Sequence, residues 1–419
     1  LRSRGRPDPE QYGTRTSDRV TNAAQPRLPL GLIALLGAAS GLSSFGMASV
    51  VPALPTLGRA LDADYANLQF VVSAYLGGLA LFQPLQGLLS DRYGRRPVLL
   101  GGFTLFALAS LLASVETSLP GLVLARFLQA MGASVATVIS RAIVRDSFAP
   151  EPAAIALSFI SAVMGVAPII APSAGGVAAD LFGWRGIFWV NALIASLLVV
   201  LLTITLRETR PHDLRPMSFK ELFGGFRILA RERRFMGYAL TYAAISAAGI
   251  VFVTSGAALF ERLFAFPPSR FGALWSSLAL SFVLGATVAG QSTRRFGSHR
   301  TLDLGIAMLI VATLGLVFAA YLHTTVPTVA VFLGLLMACM GLMSPLLLSG
   351  AAGDHPELAG VAAGFSSSIG MVGSMTSAIV TGLVFDGTAH SAALLVAGCT
   401  IAAILSLRLA RSAPPEHDT

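Results

Sequence analysis

The stretch GLLSDRYGRRPVLL, residues 87–100, places one aspartate and three arginines between two long apolar runs. The chain as a whole is 54% hydrophobic and only 12% charged, whereas soluble domains carry about 25% charged residues. A helix needs about 20 apolar residues to cross a bilayer, and runs of that length lie on both sides of this stretch. We therefore interpret it as a turn between two membrane-spanning helices.

Apolar runs of this length recur along the whole chain, separated by short polar or Pro/Gly-containing turns. They lie near residues 28–51, 66–89, 97–115, 120–141, 153–178, 186–206, 235–259, 270–292, 302–322, 327–350, 359–385 and 389–409. The predicted fold class is therefore an all-α membrane protein with twelve transmembrane helices. Because the first run is longer than a signal-peptide core, we expect it to be retained as a helix.

Lysine and arginine are distributed unevenly among the segments between these runs. If the N-terminus is cytoplasmic, the cytoplasmic segments hold 24 of the 29 residues and the external segments hold four, while Arg126 lies within a run. An excess of Lys and Arg marks cytoplasmic loops. The count predicts a multi-pass protein of a bacterial inner (plasma) membrane with both termini in the cytoplasm.

A second copy of the opening stretch occurs 203 residues later, because GLLSDRYGRRP at 87–97 aligns with GQSTRRFGSHR at 290–300. Each copy follows the second run of its half, and parallel six-helix repeats are a known transporter plan. The predicted domains are a disordered cytoplasmic tail (1–27), two pseudo-symmetric six-helix bundles (28–206 and 235–411), a central cytoplasmic loop (207–234) and a second cytoplasmic tail (412–419).

The first copy has the residue types of a latch between the two bundles. Gly87 would let a neighbouring helix approach closely, and Gly94 would allow a tight turn. Pseudo-symmetry would place Asp91 near the start of the eleventh helix, after residues 354–360, where the positive end of the helix favours a carboxylate. The predicted gating residues of this copy are Gly87, Asp91, Arg92, Gly94, Arg95 and Arg96. The alternative is a basic cytoplasmic loop with no gating role.

The second copy carries Gly290 and, at the position of Asp91, Arg294. By the same symmetry Arg294 would face the start of the fifth helix, where Glu151 lies. We predict an attraction between the two side chains. Charge reversal at Arg294 should then be rescued in transport assays by reversal at Glu151, and an absence of rescue would contradict the pairing.

The motifs of this sequence resemble those of the major facilitator superfamily. GLLSDRYGRRPVLL resembles its loop 2–3 signature, LARFLQAMGAS (124–134) its fourth-helix signature, and MGVAPIIAPSAGG (164–176) its fifth-helix antiporter signature. RAIVRDSF (141–148), WRGIFWVN (184–191) and LRET (206–209) resemble the Bcr/CflA subgroup, the bicyclomycin and chloramphenicol resistance exporters. The resemblance implies drug export driven by proton entry.

Arg126 lies near mid-depth of its run, where a charge costs about 3 kcal/mol or more. It should therefore face a cavity or a partner rather than extend to the membrane surface, and the resemblance implies a role in coupling proton and substrate movement.

In the antiporter signature Pro168 and Pro172 should bend the fifth helix. Glycines permit close packing of a neighbouring helix; those predicted to do so here are Gly165, Gly175 and Gly176. Ordinary membrane use of Gly and Pro is the alternative.

The expected proton carrier is missing from the spans. Bcr/CflA members commonly have an aspartate in the first helix where this chain has Ala48, and none of the 21 acidic residues lies deep in a run. Intramembrane ionisable groups normally mark such a role. Three alternatives stay open: protons act through Asp91 and its neighbours, coupling is weak, or the substrate is an anion that pairs with Arg126.

A substrate cavity is expected between the bundles near mid-membrane, where Met and aromatic side chains suit adaptable apolar sites. The candidates are Tyr75, Gln129, Tyr238, Tyr242, Met337 and Met340. For each residue taken singly, helix packing is the competing interpretation.

These features predict an exporter of small, mostly apolar compounds that uses proton antiport, with an uptake carrier or facilitator of the same fold as the alternative. The runs lack the paired aspartates or H-E-x-x-H zinc helix of an intramembrane enzyme, and basic residues form no stripe suited to nucleic acid. We expect no cofactor or metal, with the proton as coupling ion. The expected partners are a small-molecule substrate and the lipid bilayer, and the expected state is a monomer.

Overall fold

The computed structural model describes residues 30–211, 215–353 and 358–412, and within these ranges regular structure is helical throughout. The predicted tail 1–27 lies outside the described residues. The helices are α1 (Leu30–Ala48), α2 (Leu54–Ala60), α3 (Tyr65–Leu68), α4 (Phe70–Phe82), α5 (Leu85–Tyr93), α6 (Arg95–Val115), α7 (Leu119–Ala133), α8 (Val135–Ser147), α9 (Pro150–Thr205), α10 (Phe219–Leu229), α11 (Arg233–Phe264), α12 (Pro268–Phe296), α13 (Ser298–Leu322), α14 (Val326–Ala352), α15 (Ala359–Val384) and α16 (Ala389–Ser412).

Eleven helical stretches of the described residues are long and apolar enough to cross a membrane, and the longest of them, α9, contains two spans. Its chain direction reverses at Gly183, whose φ of 70° and ψ of 177° are non-helical. Just after the reversal Arg185 donates to the Glu116 carbonyl, whereas the far end of α9 is contacted at Thr203 by Arg96. The all-helical fold with twelve spans predicted from the sequence is confirmed.

We call the end of the molecule that carries residues 87–97 the inner end and the opposite end the outer end. Large apolar side chains remain exposed on the spans, including Leu108, Leu181 and Leu193. Helices that face lipid leave such side chains on their outer surface, because acyl chains and not water surround them. The exposed apolar belt therefore fits the predicted bilayer partner.

The repeat recognised in the sequence has a backbone counterpart. Gly94 (φ 103°, ψ 152°) and Gly297 (φ 83°, ψ 162°) precede α6 and α13 in nearly the same conformation, which side-chain-bearing residues rarely adopt. Helices α7 and α14 also begin alike, because the Ser118 and Thr325 side chains accept from the third residue of each helix. Both turn and cap thus recur in the second half.

The two halves meet along α9 with α12 and along α4 with α15. On the first seam a Cβ added to Gly176 would lie 2.4 Å from the Pro268 carbonyl oxygen, and one added to Gly272 would lie 2.3 Å from that of Pro172. Such backbone contact requires small residues. Ser173 and Ser276 complete the seam with a 2.8 Å hydrogen bond between their hydroxyls.

The segment 207–234, predicted as a loop, contains the helix α10. Ser218 accepts from the Glu221 backbone N–H, and the Glu221 carboxylate accepts in return from the Ser218 N–H. This reciprocal capping box starts a helix without help from the rest of the fold.

Candidate transport site and gates

The outer end is closed by contacts between the halves. Arg59 and Glu261 form an ion pair of 2.7 Å, and the Ser269 N–H donates to the Asp180 carboxylate at 3.2 Å. Beneath these contacts an apolar cluster built mainly from the first half includes Ile250 and Ala378 of the second. These contacts join the two halves at the outer end.

The inner end instead contains a cavity of about 510 Å³ between the halves. Asp91, Arg141 and Arg145 contribute to its wall from the first half, and Gly360 and Ser367 contribute from α15. The cavity ends near a hydrogen bond of 3.0 Å from the Ser368 hydroxyl to the Ala80 carbonyl. The two ends therefore differ: the halves are in contact at the outer end and are separated by a cavity at the inner end.

Arg95 is the centre of the inner charge network. The side chain is 7% exposed and donates to Asp146 on α8 at 2.8 Å and to Ser90 at 2.7 Å. Arg95 also forms an ion pair with Asp91, which lies four residues earlier at the end of α5. Charge-assisted bonds of this kind are the strong ones, so Arg95 ties together the ends of α5, α6 and α8.

Glu208 of the LRET motif, to which the sequence alone assigns no role, caps α6 although it lies 113 residues from Arg95 along the chain. Its carboxylate accepts from the backbone N–H groups of Arg95 at 2.9 Å and Arg96 at 3.1 Å, and also from Thr209 and Arg210. Partial burial raises the pKa of Glu208, but the four N–H donors together lower it by more than burial raises it. The pKa of Glu208 therefore lies below its ordinary value. The ionised carboxylate fits the positive helix start.

Gly94 leaves room for this cap, because a Cβ on Gly94 would lie 2.6 Å from the Glu208 carboxylate. Gly87 and Gly290 have nothing within 4 Å of an added Cβ. The prediction that Gly87 permits close helix approach is therefore wrong for this conformation, since the neighbouring helices are separated by the cavity. Arg92 accepts through its carbonyl from Arg210 at 3.2 Å.

Neither predicted latch contact is formed among the described residues. Asp91 shares the cavity with Gly360 of α15, while part of its expected partner segment, residues 354–357, lies outside the described residues. Arg294 and Glu151 are both exposed, and within the described part of the chain neither has an ion-pair partner. Both contacts stay predictions for the state in which the inner end closes.

The antiporter signature lies on α9 as predicted, but its glycines differ in their surroundings. A Cβ on Gly175 would lie 1.9 Å from the Ser49 carbonyl oxygen, and Gly176 meets the Pro268 backbone. Gly165 has nothing within 4 Å, so its predicted role in close packing is wrong here. Pro168 and Pro172 lie within the helix, and Gly183 is the residue of Pro150–Thr205 with a non-helical backbone.

Arg126 is completely buried among polar groups of the first half. One guanidinium nitrogen donates to the Gly46 carbonyl at 2.9 Å and to Gln129 at 2.6 Å, and the Nε donates to the Val71 carbonyl at 3.3 Å. The guanidinium also lies over the Tyr75 ring, 4.1 Å from its centroid. Carbonyl dipoles and a ring face thus partly compensate the buried charge.

One nitrogen of Arg126, Nη2, is buried without a hydrogen-bond partner. Within the described ranges, the partners of Arg126 are carbonyl, amide and ring groups of the first half. An unpartnered donor on a buried cation costs about 1–3 kcal/mol. Arg126 therefore retains unused capacity to bind an anionic or hydrogen-bonding group.

The six predicted cavity residues fall into separate clusters. Tyr75 and Gln129 surround Arg126, whereas Met337 and Met340 contact α11 near Gly249, and Tyr242 contacts α15 at Gly370. Tyr238 lies against Gly350 of α14. None of the six lines the inner cavity, so their part in substrate binding stays a prediction.

Two six-helix sets, a shared inner cavity and a closed outer end describe a membrane transporter, and comparison with known proteins agrees. The profile of the Major Facilitator Superfamily matches residues 36–378. This chain belongs to that superfamily. It is a membrane transporter and not an enzyme, because the superfamily and the relatives described below are transporters.

Relatives of this superfamily member include proteins named for drug resistance. It is 30% identical over 358 residues to the uncharacterized MFS-type transporter YdgK of Bacillus subtilis, covering 85% of this chain and 88% of the relative. It is 24% identical to a bicyclomycin resistance protein homolog of Haemophilus influenzae, covering 89% and 94%. A 178-residue match to the multidrug resistance protein MdtL of Escherichia coli is 32% identical and covers 41% and 46%. The resemblance to the Bcr/CflA exporters is confirmed.

Solved structures show the same fold. The inward-facing, occupied form of a bacterial homolog of the human lysosomal transporter Spinster matches with a TM-score of 0.79 at 15% identity, covering 91% of this chain and 97% of that one. A D-xylose–proton symporter matches with a TM-score of 0.72 at 16% identity, covering 93% and 98%. At these identities the likeness concerns architecture alone.

Proposed function

We propose that this superfamily member exports small, mostly apolar compounds, including antibiotics, by alternating access and in exchange for protons. The observation that carries the proposal is the difference between the ends, because contacts between halves close the outer end while a cavity opens at the inner end. A site that opens to one side at a time is what rocking of two helix bundles requires. The drug-resistance names of the relatives support export as the direction.

The bundles would be residues 28–206 and 235–411, with both termini cytoplasmic in an inner membrane and the chain acting as a monomer. The inward-open cavity would load substrate from the cytoplasm, and closure of Asp91 onto α15 and of Arg294 onto Glu151 would accompany release outside. Accessibility mapping should place 87–97 and 290–300 on the same, cytoplasmic side. Labelling of the two stretches from opposite sides would contradict this topology.

The test of export is expression in a pump-deficient bacterium challenged with a drug panel, with and without a protonophore. We expect raised resistance and lowered intracellular drug that both disappear when the proton gradient is collapsed. An Arg126→Ala variant present at equal abundance serves as the inactive control. Accumulation that is unaffected by the protonophore would contradict proton antiport.

A second candidate function is uptake or facilitated passage of an anionic compound, favoured by Arg126. Its Nη2 has no partner, and Arg141 and Arg145 bring positive charge to the inner cavity alongside Asp91. A substrate carboxylate or phosphate would satisfy Arg126. On this reading Arg126→Ala abolishes transport and Asp91→Asn only slows it, whereas proton movement through Asp91 would make both variants inactive under a gradient.

A further inference from the structure

Helix α10 of the central segment lies against the inner end of the second half. Leu222, Gly225 and Leu229 form its buried side, and the Phe226 ring stacks on Phe365 of α15 with centroids 4.5 Å apart. Because α15 begins at Ala359, this contact lies two turns from the inner end of a membrane span. Helix α10 therefore lies beside the inner end of this span, which in a bilayer would be near the boundary between acyl chains and headgroups.

A second side of α10 is apolar but uncovered. Phe219 and Phe223, one turn apart, are 53% and 58% exposed, although they lie next to the buried side that includes Phe226. In a helix that faced water alone, exposed phenylalanines at this spacing would be unfavourable. We call Phe219 and Phe223 the apolar strip.

A third side of α10 is basic. Lys220 and Arg227 lie seven residues apart, on one helix face, and Arg231 follows just beyond the helix end; all three are exposed. Among the described residues none of the three has an ion-pair partner, whereas Arg215 pairs with Glu221 at 3.2 Å. We call Lys220, Arg227 and Arg231 the basic strip.

We propose that α10 is a lipid-binding helix whose apolar strip enters the inner leaflet while its basic strip binds the headgroups of anionic lipids. An interfacial helix has this division, with aromatic residues toward the acyl chains and Lys or Arg toward the headgroups. The occupant is lipid and not the tail 1–27, because that tail carries six arginines against three acidic residues and its net positive charge would repel the basic strip.

The same helix contributes Leu222 to the inner cavity wall, beside Val361 of α15. Lipid bound at α10 would thus hold the helix against α15, whose inner end borders the cavity. Anionic lipid would be a partner of the inward-open state, beyond its general role as solvent for the spans.

The test uses full-length protein with Cys339 and Cys399 replaced by alanine, reconstituted in vesicles and labelled with a dye at Phe223→Cys. Ile228→Cys is the matched control, because Ile228 is 53% exposed and lies on a different side of α10. Brominated phosphatidylglycerol should quench the dye at 223 several-fold more than the dye at 228, and more than brominated phosphatidylcholine does.

Replacing the basic strip by K220Q, R227Q and R231Q should remove the preference for phosphatidylglycerol. Each lost charge should lower the relative affinity for this lipid about fivefold, because each contributes about 1 kcal/mol at an anionic surface. The matched variant R294Q, R295Q and R300Q removes three exposed inner charges elsewhere and should leave the preference unchanged. Equal quenching at 223 and 228, or a preference that survives loss of the basic strip, would overturn the proposal. Quenching at 223 that appears only after residues 1–27 are deleted would show that the tail covers the strip and would also overturn it.

Discussion

The two halves of this transporter share a backbone plan but not a chemistry. Counted from the caps Ser118 and Thr325, Arg126 on α7 corresponds to Leu333 on α14, and Gln129 corresponds to Leu336. Both leucines are buried in an apolar core. The first half therefore holds a buried arginine with its polar partners, whereas the matching positions of the second half are apolar.

The inner turns differ in the same way. Gly94 and Gly297 have matching backbones, but among the described residues a distant carboxylate, that of Glu208, caps only the helix after Gly94. Turn geometry is thus retained where the charge network is not. The difference indicates that the glycines serve the fold of both halves, while the charge network around Arg95 belongs to the first half.

The largest expected effect comes from Arg126→Ala. Removal of Arg126 leaves Gln129 and two backbone carbonyls without their donor, at about 1–3 kcal/mol for each buried group left unsatisfied, and should reduce transport about 100-fold or more. Transport of a drug identified in the resistance panel measures it. The matched variant Leu333→Met in the second half should keep transport within about twofold of the parent rate. An equal loss of transport in Arg126→Ala and Leu333→Met would contradict the difference between the two halves.

The next largest effect is expected from substitution of the two turn glycines, Gly94 and Gly297. Gly94→Ala and Gly297→Ala both strain a positive-φ backbone, at a cost of about 1–3 kcal/mol each. Gly94→Ala also displaces the Glu208 carboxylate, so it should lose about 1 kcal/mol more, the worth of a helix cap. Thermal unfolding in detergent measures both, and a greater loss for Gly297→Ala would contradict the role given to the cap.

Glu208→Gln should alter the pH dependence of stability. The folded pKa of Glu208 lies below its ordinary value of 4.5, so its contribution is complete above the unfolded pKa and is lost as pH falls through the lower folded pKa. The parent protein should therefore lose more stability than Glu208→Gln on acidification below about pH 5. Asp303→Asn, which removes an exposed carboxylate paired with Arg411 in the second half, is the control; identical pH profiles for parent and Glu208→Gln would argue against an ionised cap.

The smallest effect is expected at the outer contact between the halves. Arg59 is 62% exposed, and exposed ion pairs contribute about 0–1 kcal/mol. Arg59→Glu should therefore raise thiol labelling of Ala378→Cys, in the outer apolar cluster, by no more than about fivefold. Adding Glu261→Arg should restore the parent labelling rate, and high salt should reduce the difference between Arg59→Glu and the parent. A labelling rate that neither the second substitution nor salt alters would show that apolar packing alone closes this end.

Much of the fold was predictable because its signals are local in the sequence. Apolar runs, basic turns and the repeated glycine motif indicated twelve spans and two related halves. The depth of Arg126 in its apolar run likewise indicated that this side chain is buried. The helix α10 was missed, although its capping box S-F-K-E at 218–221 was a readable signal.

The sequence by itself determined which segments enter the membrane, how the halves repeat and which charge is buried, because hydropathy and turn chemistry act over neighbouring residues. Only the tertiary structure decided that Glu208 caps α6 across 113 residues, that Gly87 and Gly165 have open space, and that the outer end is the closed one. These features depend on which helices pack together in one conformation of the transporter. Polar partners far apart in the chain are set by that packing and leave no periodic pattern of their own.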